Sequence, residues 1–286
     1  HIDPGMYRLV WWGFGHSSQQ INVAAHVSIW YLTAAVLFGA KPLSEKVSRF
    51  AFFLYIAVLQ IASAHHLLVD PGLSAEWKIF NTSYAMYLAV MASMVHGLTV
   101  PGSIEAAQRA HGLNSGLFEW LRKAPWGNPV FSGMFMSLVG FGVLGGITGV
   151  VMGTEQINLL IHNTMYVPGH FHATVVIGTT LAFMAITYWL VPILFRRDLI
   201  LKGVARWQPY VFGLGMTGVA MFLMGAGFTR RDATLPPRIT QEPMPAGPAK
   251  GMVCKLDEML APYYRLRGWS DKGIPGTAKL AELGLT

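Results

Sequence analysis

The chain has 286 residues, of which 53% are hydrophobic and 12% are charged, and its mean hydropathy of +0.42 is too high for an ordinary soluble domain. Its formal charge is +7, but the basic residues stand in short clusters between apolar runs, which is typical of the loops that orient a membrane protein and argues against a nucleic-acid partner. The single cysteine, Cys254, excludes a disulfide framework, a cysteine-rich zinc site, an iron–sulfur cluster built from this chain alone and covalent haem attachment, so any metal must be held by histidine.

Six apolar stretches are long enough to cross a bilayer as helices, which takes about 20 residues. They are predicted at roughly Val10–Phe38, Val47–Val69, Trp77–Val100, Val130–Met152, His170–Phe195 and Gln208–Phe228. The loops after the first, third and fifth spans carry lysine and arginine, whereas those after the second and fourth nearly lack them, so the first group is expected in the cytoplasm. The sequence therefore predicts an all-α, polytopic transmembrane helix bundle.

The two ends of the chain depart from this pattern. The chain opens on His1 without a signal-peptide pattern and soon enters an apolar span, so we expect a cut inside a longer protein. After the sixth span it stays polar and carries Arg230, Arg231 and Arg238 on a side that should be poor in positive charge. We expect this tail to be a soluble, proline-rich stretch with one helix near Lys255–Leu266.

Five histidines are predicted at one depth on the outer side of the membrane, and three different spans contribute them. His16 lies near the outer end of the first span, His65 and His66 at the outer end of the second, and His170 and His172 at the outer start of the fifth. Metal-ligating side chains inside a span are costly and indicate function. This convergence predicts a metal or haem centre.

The spacing of these histidines suggests what they bind. Neighbouring residues on a helix are about 100° apart, so His65 and His66 can straddle one ion, with His16 as a third ligand. Three imidazoles with an open position suit copper, zinc or iron. His170 and His172 are about 200° apart and point to opposite sides of their helix. One helix could then ligate two different haems.

The remaining features of the spans have simpler interpretations. His26 and His96 each stand alone in an apolar span, and we expect them to be hydrogen-bonded structural residues. A series of glycines predicts close helix packing without any ligand. Its members are Gly140, Gly142, Gly145, Gly146 and Gly149.

Three motifs within about residues 1–227 carry a family resemblance. They are Gly15-His16, Ala64–Gly72 and His162–His172. Together they resemble the second half of the catalytic subunit of the haem-copper oxidases, B-type branch. The resemblance implies a respiratory oxidoreductase in the plasma membrane of a bacterium or archaeon, surrounded by lipid. Its implied partners are a subunit II-like electron-entry subunit and cytochrome c or a similar donor.

The resemblance also assigns roles to the five histidines. His170 would be the axial ligand of a high-spin haem, and His172 would be one axial ligand of a low-spin haem. His16, His65 and His66 would hold the active-site copper or a non-haem iron. The second ligand of the low-spin haem would belong to an earlier helix that this sequence lacks.

One departure from the family favours a particular reaction. In oxygen-reducing members, the fourth residue after the first metal histidine is a tyrosine that supplies an electron and a proton for O–O cleavage. Here that residue is Gln20, and an amide cannot supply a hydrogen atom. We therefore prefer reduction of NO to N2O, with Gln20, His16, His65, His66 and His170 as the catalytic candidates. Reduction of O2 to water with proton translocation is the alternative.

Other positions of the family pattern sharpen this expectation. Asn158 and His162 match positions near the haem propionates. The hydroxyl-bearing positions that carry protons in B-type oxidases fall at Ala92, Val95 and Leu98. Tyr31 retains one upstream hydroxyl, but the proton track is predicted to be interrupted. That loss also fits the NO reductases of the superfamily.

Three rival classes remain open at this point. The chain could be a non-catalytic b-type membrane cytochrome, which would contain haem but no second metal. It could be a metal transporter that uses the histidines as a translocation path, which would have no Soret band. The fragment could also lack activity because half of the bundle is missing.

The polar tail, about residues 228–286, resembles a different family. Its sequence is similar to the C-terminal end of aldehyde ferredoxin oxidoreductases, which are soluble tungsten or molybdenum pterin enzymes with an iron–sulfur cluster. The matching segments are Gly227–Asp232, Leu235-Pro236, Glu242-Pro243, Gly247–Gly251, Tyr263–Trp269 and Gly273–Leu285. The catalytic residues of that family lie upstream, so no pterin ligand is implied, and Cys254 is expected to be an ordinary thiol. We expect two domains, 1–227 and 228–286, as a gene fusion, an assembly error or an artificial chimera would produce.

Overall fold

The structure is a computed structural model that describes residues 3–59, 61–70, 72–225, 237–247 and 249–282. The chain divides into two compact units, His1–Met224 and Gly225–Thr286. The described residues are mostly helical and contain no β-strand, only an isolated bridge between Trp269 and Pro275. The predicted all-α class is confirmed.

Six long helices build the described part of the first unit. They are α1 (Pro4–Phe38), α2 (Glu45–Leu59), α3 (Ala75–Ala110), α4 (Pro129–Gly153), α5 (Tyr166–Phe195) and α6 (Lys202–Gly225). Four of them, α1, α3, α4 and α5, are long and apolar enough to cross a membrane, which confirms the transmembrane bundle. The other two predicted spans differ. Helix α2 has 15 residues, or about 22 Å at 1.5 Å per residue, and α6 begins with basic and polar turns.

The second predicted span, Val47–Val69, is not one helix. Helix α2 ends at Leu59, and the two neighbouring histidines lie in a short 3-10 helix, Ser63–His66. Asn81 explains the break, because its Oδ1 accepts a hydrogen bond of 3.1 Å from the Ala64 amide at the start of that turn. The prediction of a continuous helix through the histidine pair was therefore wrong.

Helix α1 is the longest element and its ends are capped locally. The Asp3 carboxylate accepts hydrogen bonds from the amides of Gly5 and Met6, and Pro4 fills the first turn, where no amide donor is needed. Gly39 ends the helix in the left-handed conformation, with a φ of 62° that costs a glycine little. These caps explain why the helix begins and stops where it does.

The core of the bundle lies between α1, α4 and α5. The buried Trp30 indole donates to Ser137 Oγ at 2.9 Å, and Ser137 donates to the Gly178 carbonyl at 2.5 Å. Helices α4 and α5 touch closely, because a Cβ added at Gly140 would lie 2.3 Å from Cγ2 of Ile177. The predicted role of the glycine series in packing therefore holds at Gly140.

Three π-helical segments interrupt the long helices. They are Asn81–Ala85 in α3, Gly140–Gly145 in α4 and His172–Thr180 in α5. Such segments rotate the following side chains out of the regular helical register and are frequent at functional sites. In this bundle they adjoin the histidines on α5 and the turn after α2.

The loops from α1 to α2, from α3 to α4 and from α5 to α6 come together at one end of the bundle. The Leu43 amide donates to Ser103 Oγ at 3.2 Å, and the Tyr210 hydroxyl donates to the Trp126 carbonyl at 2.6 Å. We call this part, residues 39–44, 111–128 and 196–201, the basic-loop end. It contains the loops that the charge pattern assigns to the cytoplasm.

The second unit contains three short helices in its described part, Pro237–Thr240, Leu256–Leu266 and Thr277–Glu282. The middle one lies within the predicted segment Lys255–Leu266. The Arg267 guanidinium lies 4.8 Å from the centre of the Trp269 ring, and Cys254 is a free, partly exposed thiol. Several predicted features fall outside the described residues. They are His1, Arg230, Arg231, the boundary at 227/228, and the tail segments Gly227–Asp232, Leu235-Pro236, Pro248 and Leu283–Leu285.

Candidate functional site

Three of the predicted metal ligands meet in the structure. His16 comes from α1, and His65 and His66 come from the 3-10 turn after α2. One ligand atom from each ring lies within 4.8 Å of the other two. Nδ1 of His16 is 2.8 Å from Nε2 of His66, and the His65 ring meets the His16 ring edge-on at 4.4 Å between centroids. This group has the donor set of a three-histidine metal site.

Residues that the motifs did not single out hold the group in place. The Trp12 indole stacks on the His66 ring, with centroids 3.8 Å apart and planes 3° from parallel. Arg8 forms an ion pair with Asp70, which ties α1 to the loop that follows the turn. Sequence spacing gives a signal for Trp12 and Arg8, since they lie one and two helical turns before His16 on the same face.

Gln20 lies one helical turn after His16 and contacts it. The amide nitrogen of Gln20 is 3.1 Å from Nε2 of His16. Its oxygen, Oε1, is buried and has no hydrogen-bond partner among the described residues. Gln20 is therefore a direct neighbour of the first metal histidine.

A cavity of about 510 Å³ opens beside the three histidines. Every predicted site residue lines it except His172. The lining members are His16, Gln20, His65, His66, Asn158, His162 and His170. Glycines form part of its wall, namely Gly142, Gly145, Gly146, Gly149 and Gly153. The glycine series, predicted to serve helix packing alone, thus also leaves room for a ligand.

The environment of His170 selects one tautomer of its ring. Thr148 Oγ1 donates its hydrogen to the Leu144 carbonyl at 2.7 Å. The same oxygen lies 2.8 Å from Nδ1 of His170, so it accepts the Nδ1–H of that ring. Nε2 of His170 is then unprotonated and can ligate iron, as ligating histidines usually do when the other nitrogen is hydrogen-bonded.

His172 has a similar arrangement on another side of α5. Its Nδ1 lies 2.8 Å from the Pro168 carbonyl, which can accept only an N–H. Nε2 is then the free ligand nitrogen. His170 lines the cavity, whereas His172 is not among the residues that line it.

Asn158 and His162 line the cavity and lie in and just after the short helix Glu155–Ile161. The Asn158 side chain donates to the Met152 carbonyl at 2.7 Å. Its Oδ1 is buried without a hydrogen-bond partner in the described part of the chain. A polar atom of this kind indicates a partner from a bound group or water.

The residues present fit the cofactors that the family resemblance implies. Three neutral imidazoles within reach of one point suit copper or non-haem iron. On the haem side, a Cβ added at Gly149 would lie 3.1 Å from Cε1 of His170, so the glycine leaves free space beside the ligand ring. The cavity volume and the selected tautomer of His170 agree with a haem bound at its Nε2.

Comparison with known proteins gives a consistent result for the first unit. A sequence model of the family described as cytochrome c and quinol oxidase polypeptide I matches residues 1–247. A cytochrome c oxidase subunit 1 of Thermus thermophilus is 35% identical over 191 residues, which are 67% of this chain and 34% of that protein. The chain thus spans about a third of the length of this relative.

A solved structure agrees with this match. A heme-copper terminal oxidase dimer, determined by cryo-EM, has a TM-score of 0.73 and 32% identity to this chain. The alignment covers 78% of this chain and 40% of that chain. The similarity of both sequence and fold therefore extends over most of the bundle.

The tail matches a second family. A sequence model of aldehyde ferredoxin oxidoreductase, domains 2 and 3, matches residues 219–285. The tungsten-containing aldehyde ferredoxin oxidoreductase of Pyrococcus furiosus is 50% identical over 66 residues, which are 23% of this chain and 11% of that enzyme. The two family matches overlap between residues 219 and 247, and the predicted resemblance of the tail is confirmed.

Proposed function

This chain belongs to the cytochrome c and quinol oxidase polypeptide I family, and we propose that it provides the histidines at which a membrane enzyme reduces NO to N2O. In that reaction two NO molecules, two electrons and two protons give one N2O and one water. Electrons would come from a cytochrome-type donor through a subunit II-like partner. The whole reaction requires the parts of the relatives that this chain does not span.

We assign the ligands as follows. His16, His65 and His66 bind copper or a non-haem iron, His170 binds a high-spin haem, and His172 binds a low-spin haem. When bound, the haem iron and the second metal supply electrons to the substrate and stabilise its developing negative charge. Asn158 and His162 bind near the haem propionates. The buried Oδ1 of Asn158 supports this, since it lacks a partner among the described residues.

The observation that carries the choice of NO is the contact between Gln20 and His16. In the oxygen-reducing members that the motifs resemble, a tyrosine stands at this position and donates a hydrogen atom. The Gln20 amide lies 3.1 Å from Nε2 of His16 but has no oxidisable O–H bond. Coupling two NO molecules needs no such donor, which supports NO as the substrate.

The same contact gives Gln20 a positioning role. If His16 binds the metal through Nδ1, the atom nearest to His66, its Nε2 must carry the proton. A half-turn of the Gln20 amide then lets Oε1 accept that N–H and turns the NH2 group toward the cavity. The two amide orientations fill the same volume, so the hydrogen-bonding partner decides between them. The NH2 group can then donate to a substrate oxygen.

Reduction of O2 to water is the second candidate. The relative from Thermus thermophilus is named a cytochrome c oxidase subunit 1, and the solved structure is described as a terminal oxidase. Both names favour oxygen as the substrate of those proteins. The Gln20 side chain is the feature of this chain that favours NO instead.

The experiment compares the two substrates in the complete enzyme, expressed with the helices that precede this chain in its relatives. A Soret band and stoichiometric non-haem copper or iron first exclude a simple cytochrome and a transporter. Purified enzyme is then given 15N-labelled NO without oxygen, or O2 alone, and N2O and oxygen are followed by mass spectrometry. We expect N2O formation to be the faster reaction. Oxygen consumption that exceeds N2O formation at equal electron supply contradicts the proposal.

The variant Gln20→Ala tests the role of the amide. We expect NO turnover to fall about tenfold, the size of one lost hydrogen bond to a reacting group, with the Soret band unchanged. Gln20→Glu keeps an acceptor for the His16 N–H and serves as the matched control for its positioning role. Unchanged turnover in Gln20→Ala would remove Gln20 from the mechanism.

A further inference from the structure

A stripe of polar residues runs along α3 on the side that faces α1 and α2. Its members recur every three or four residues and therefore share one helix face. They are Ser93, His96, Thr99 and Ser103. His96, Thr99 and Ser103 are buried, and Ser93 lines the cavity. At its other end, Ser103 accepts the Leu43 amide in the basic-loop end. The stripe thus reaches from the basic-loop end to the cavity.

Hydroxyl groups on the facing helices complete a connected network. The Tyr31 hydroxyl on α1 lies 3.0 Å from Ser48 Oγ on α2 and 3.1 Å from Nδ1 of His96. The Tyr55 hydroxyl on α2 lies 3.0 Å from Ser93 Oγ. Tyr55 and Ser93 both line the cavity that contains the three metal histidines.

His96 joins the two halves of this network. Its ring centre lies 5.6 Å from that of Tyr31 and 5.5 Å from that of Tyr55. Nδ1 contacts the Tyr31 hydroxyl, while Nε2 is buried and has no hydrogen-bond partner in the described part of the bundle. An imidazole in this position can accept a proton at one nitrogen and release one from the other.

Burial of so many polar groups inside membrane-spanning helices is costly, and such groups mark ion or proton pathways. We propose that Ser48, Tyr31, His96, Tyr55 and Ser93 conduct protons from the basic-loop end into the cavity. This inference rests on the proposed function, because reduction of NO consumes protons at the site. The track begins near the basic loops and ends on the cavity wall.

Tyr31 on α1 is a hydroxyl of the family pattern that the track retains, but on α3 the track does not use the positions at which that pattern carries hydroxyl groups. Those positions are Ala92, Val95 and Leu98, each one residue before a member of the stripe. One residue on a helix turns the side chain by about 100°. The polar face of this α3 is therefore rotated about the helix axis, toward α1 and α2, relative to the polar face of the family pattern. The interruption predicted from the sequence applies only to the face that carries Ala92, Val95 and Leu98.

One pass along the track moves one proton and no electron. Tyr31 gives its hydroxyl proton to Nδ1 of His96 and takes another from Ser48. His96 releases a proton from Nε2 to the pair of Tyr55 and Ser93, directly or through a water molecule. Return of the imidazole to its first tautomer and rotation of the hydroxyls restore the starting state.

The test uses two histidine variants of the complete enzyme in lipid vesicles. His96→Leu breaks the track, and His26→Leu is its matched control. Both histidines are fully buried, both have Nδ1 3.1 Å from a hydroxyl, and Nε2 of both lacks a partner among the described residues. His26 bonds to Thr179 on α5 instead of the track.

The fully reduced enzyme is mixed with NO, and proton uptake is followed with a pH dye while haem oxidation is followed optically. We expect His96→Leu to slow proton uptake by at least about tenfold, a typical loss for a proton-transfer group. The haem spectra and metal content should not change. His26→Leu should take up protons at the rate of the unmodified enzyme.

Tyr31→Phe removes one hydroxyl without changing the packing. If His96→Leu binds no haem, Tyr31→Phe serves in its place as the test of the proton track. We expect slow proton uptake and a larger solvent deuterium isotope effect, which a purely structural role would not produce. Proton uptake at the unmodified rate in either variant with intact haem spectra overturns the proposal. An equal loss in His26→Leu does so too.

The proposed NO reduction and the proposed proton track can be contradicted independently of each other. If the unmodified enzyme reduces O2 and not NO, the NO assignment is wrong, but O2 reduction also takes up protons. The same two measurements with O2 then test the track on their own.

Discussion

Polar groups are paired in different ways at the two ends of the bundle. In the basic-loop end and directly beside it, acidic and basic side chains four residues apart pair with each other. These pairs are Glu45–Arg49, Glu105–Arg109, Glu119–Lys123 and Asp198–Lys202, with N–O distances of 2.5 to 2.8 Å. Ion pairs between side chains four residues apart are individually weak, so this end depends on local contacts.

At the opposite end, which contains His16, His65, His66 and His170 and is called the histidine end, polar atoms are buried and incompletely paired. Oε1 of Gln20 and Oδ1 of Asn158 have no hydrogen-bond partner among the described residues, and the metal histidines are held by contacts between different elements. Buried polar atoms without partners are rare in proteins and indicate a bound group. Substitutions at the histidine end should therefore change cofactor binding strongly, and those at the basic-loop end should change stability slightly.

The largest expected effect comes from His66→Ala. This change removes one of the three proposed metal ligands, and we expect loss of the non-haem metal and a fall in turnover of about a thousandfold or more, since a metal supplies several kcal/mol of transition-state stabilisation. Metal analysis and the Soret band of the complete enzyme check it. His111→Ala, in an exposed loop, is the control. If a His66→Ala enzyme kept stoichiometric metal, the expectation that substitutions at the histidine end change cofactor binding strongly would be wrong.

A second effect is expected from Thr148→Val. Valine has nearly the shape of threonine but cannot accept the Nδ1–H of His170, so the ring loses one of the contacts that select its tautomer. Loss of such a partner typically costs about 10- to 100-fold in affinity or activity. Haem titration of the apoprotein and the Soret maximum would measure it. Thr187→Val, whose hydroxyl bonds only to its own helix, is the matched control and should bind haem normally.

A smaller effect is expected from Asp70→Asn. The ion pair between Arg8 and Asp70 fixes the loop after the histidine turn, with side chains that are 37% and 16% exposed. A partly exposed pair of this kind is worth about 1 kcal/mol at most, which corresponds to about a fivefold weaker metal affinity. Competition with a chelator measures this change. A loss as large as that of His66→Ala would mean that the loop as a whole, and not the pair, positions the ligands.

The sequence predicts much of this molecule because hydropathy and histidine spacing are local properties. The transmembrane bundle and the common depth of His16 and His170 follow from span length and loop charge. The 3-10 turn that carries His65 and His66 does not, because it depends on Asn81, whose side chain reaches back from the next helix.

Contacts between helices could not be predicted either, because they also depend on side chains from other helices. Nothing in the spacing of Thr148 indicates that it bonds to His170 on another helix. The polar face of α3 is visible in the sequence as a period of three to four residues, but its connection through Tyr31 and Tyr55 needs the positions of α1 and α2. The sequence thus indicates candidate residues, while the structure shows which of them lie in contact.

The smallest expected effect concerns Glu119 in the basic-loop end. Hydrogen bonds from the Lys123 ammonium and from the Ser115 amide hold the pKa of Glu119 below its ordinary value of 4.5. Because the folded pKa is depressed, the stability that these bonds contribute is complete above pH 4.5 and is lost as the pH falls through the folded pKa. Amide exchange protection of residues 115–123, corrected for intrinsic rates, should therefore decrease below pH 4.5. Glu119→Gln should lower that protection at neutral pH and remove its pH dependence, whereas Glu45→Gln, in a separate exposed pair, should leave this segment unchanged. A change in haem spectra on Glu119→Gln would contradict the division between the two ends, because Glu119 does not line the cavity and its contacts are local.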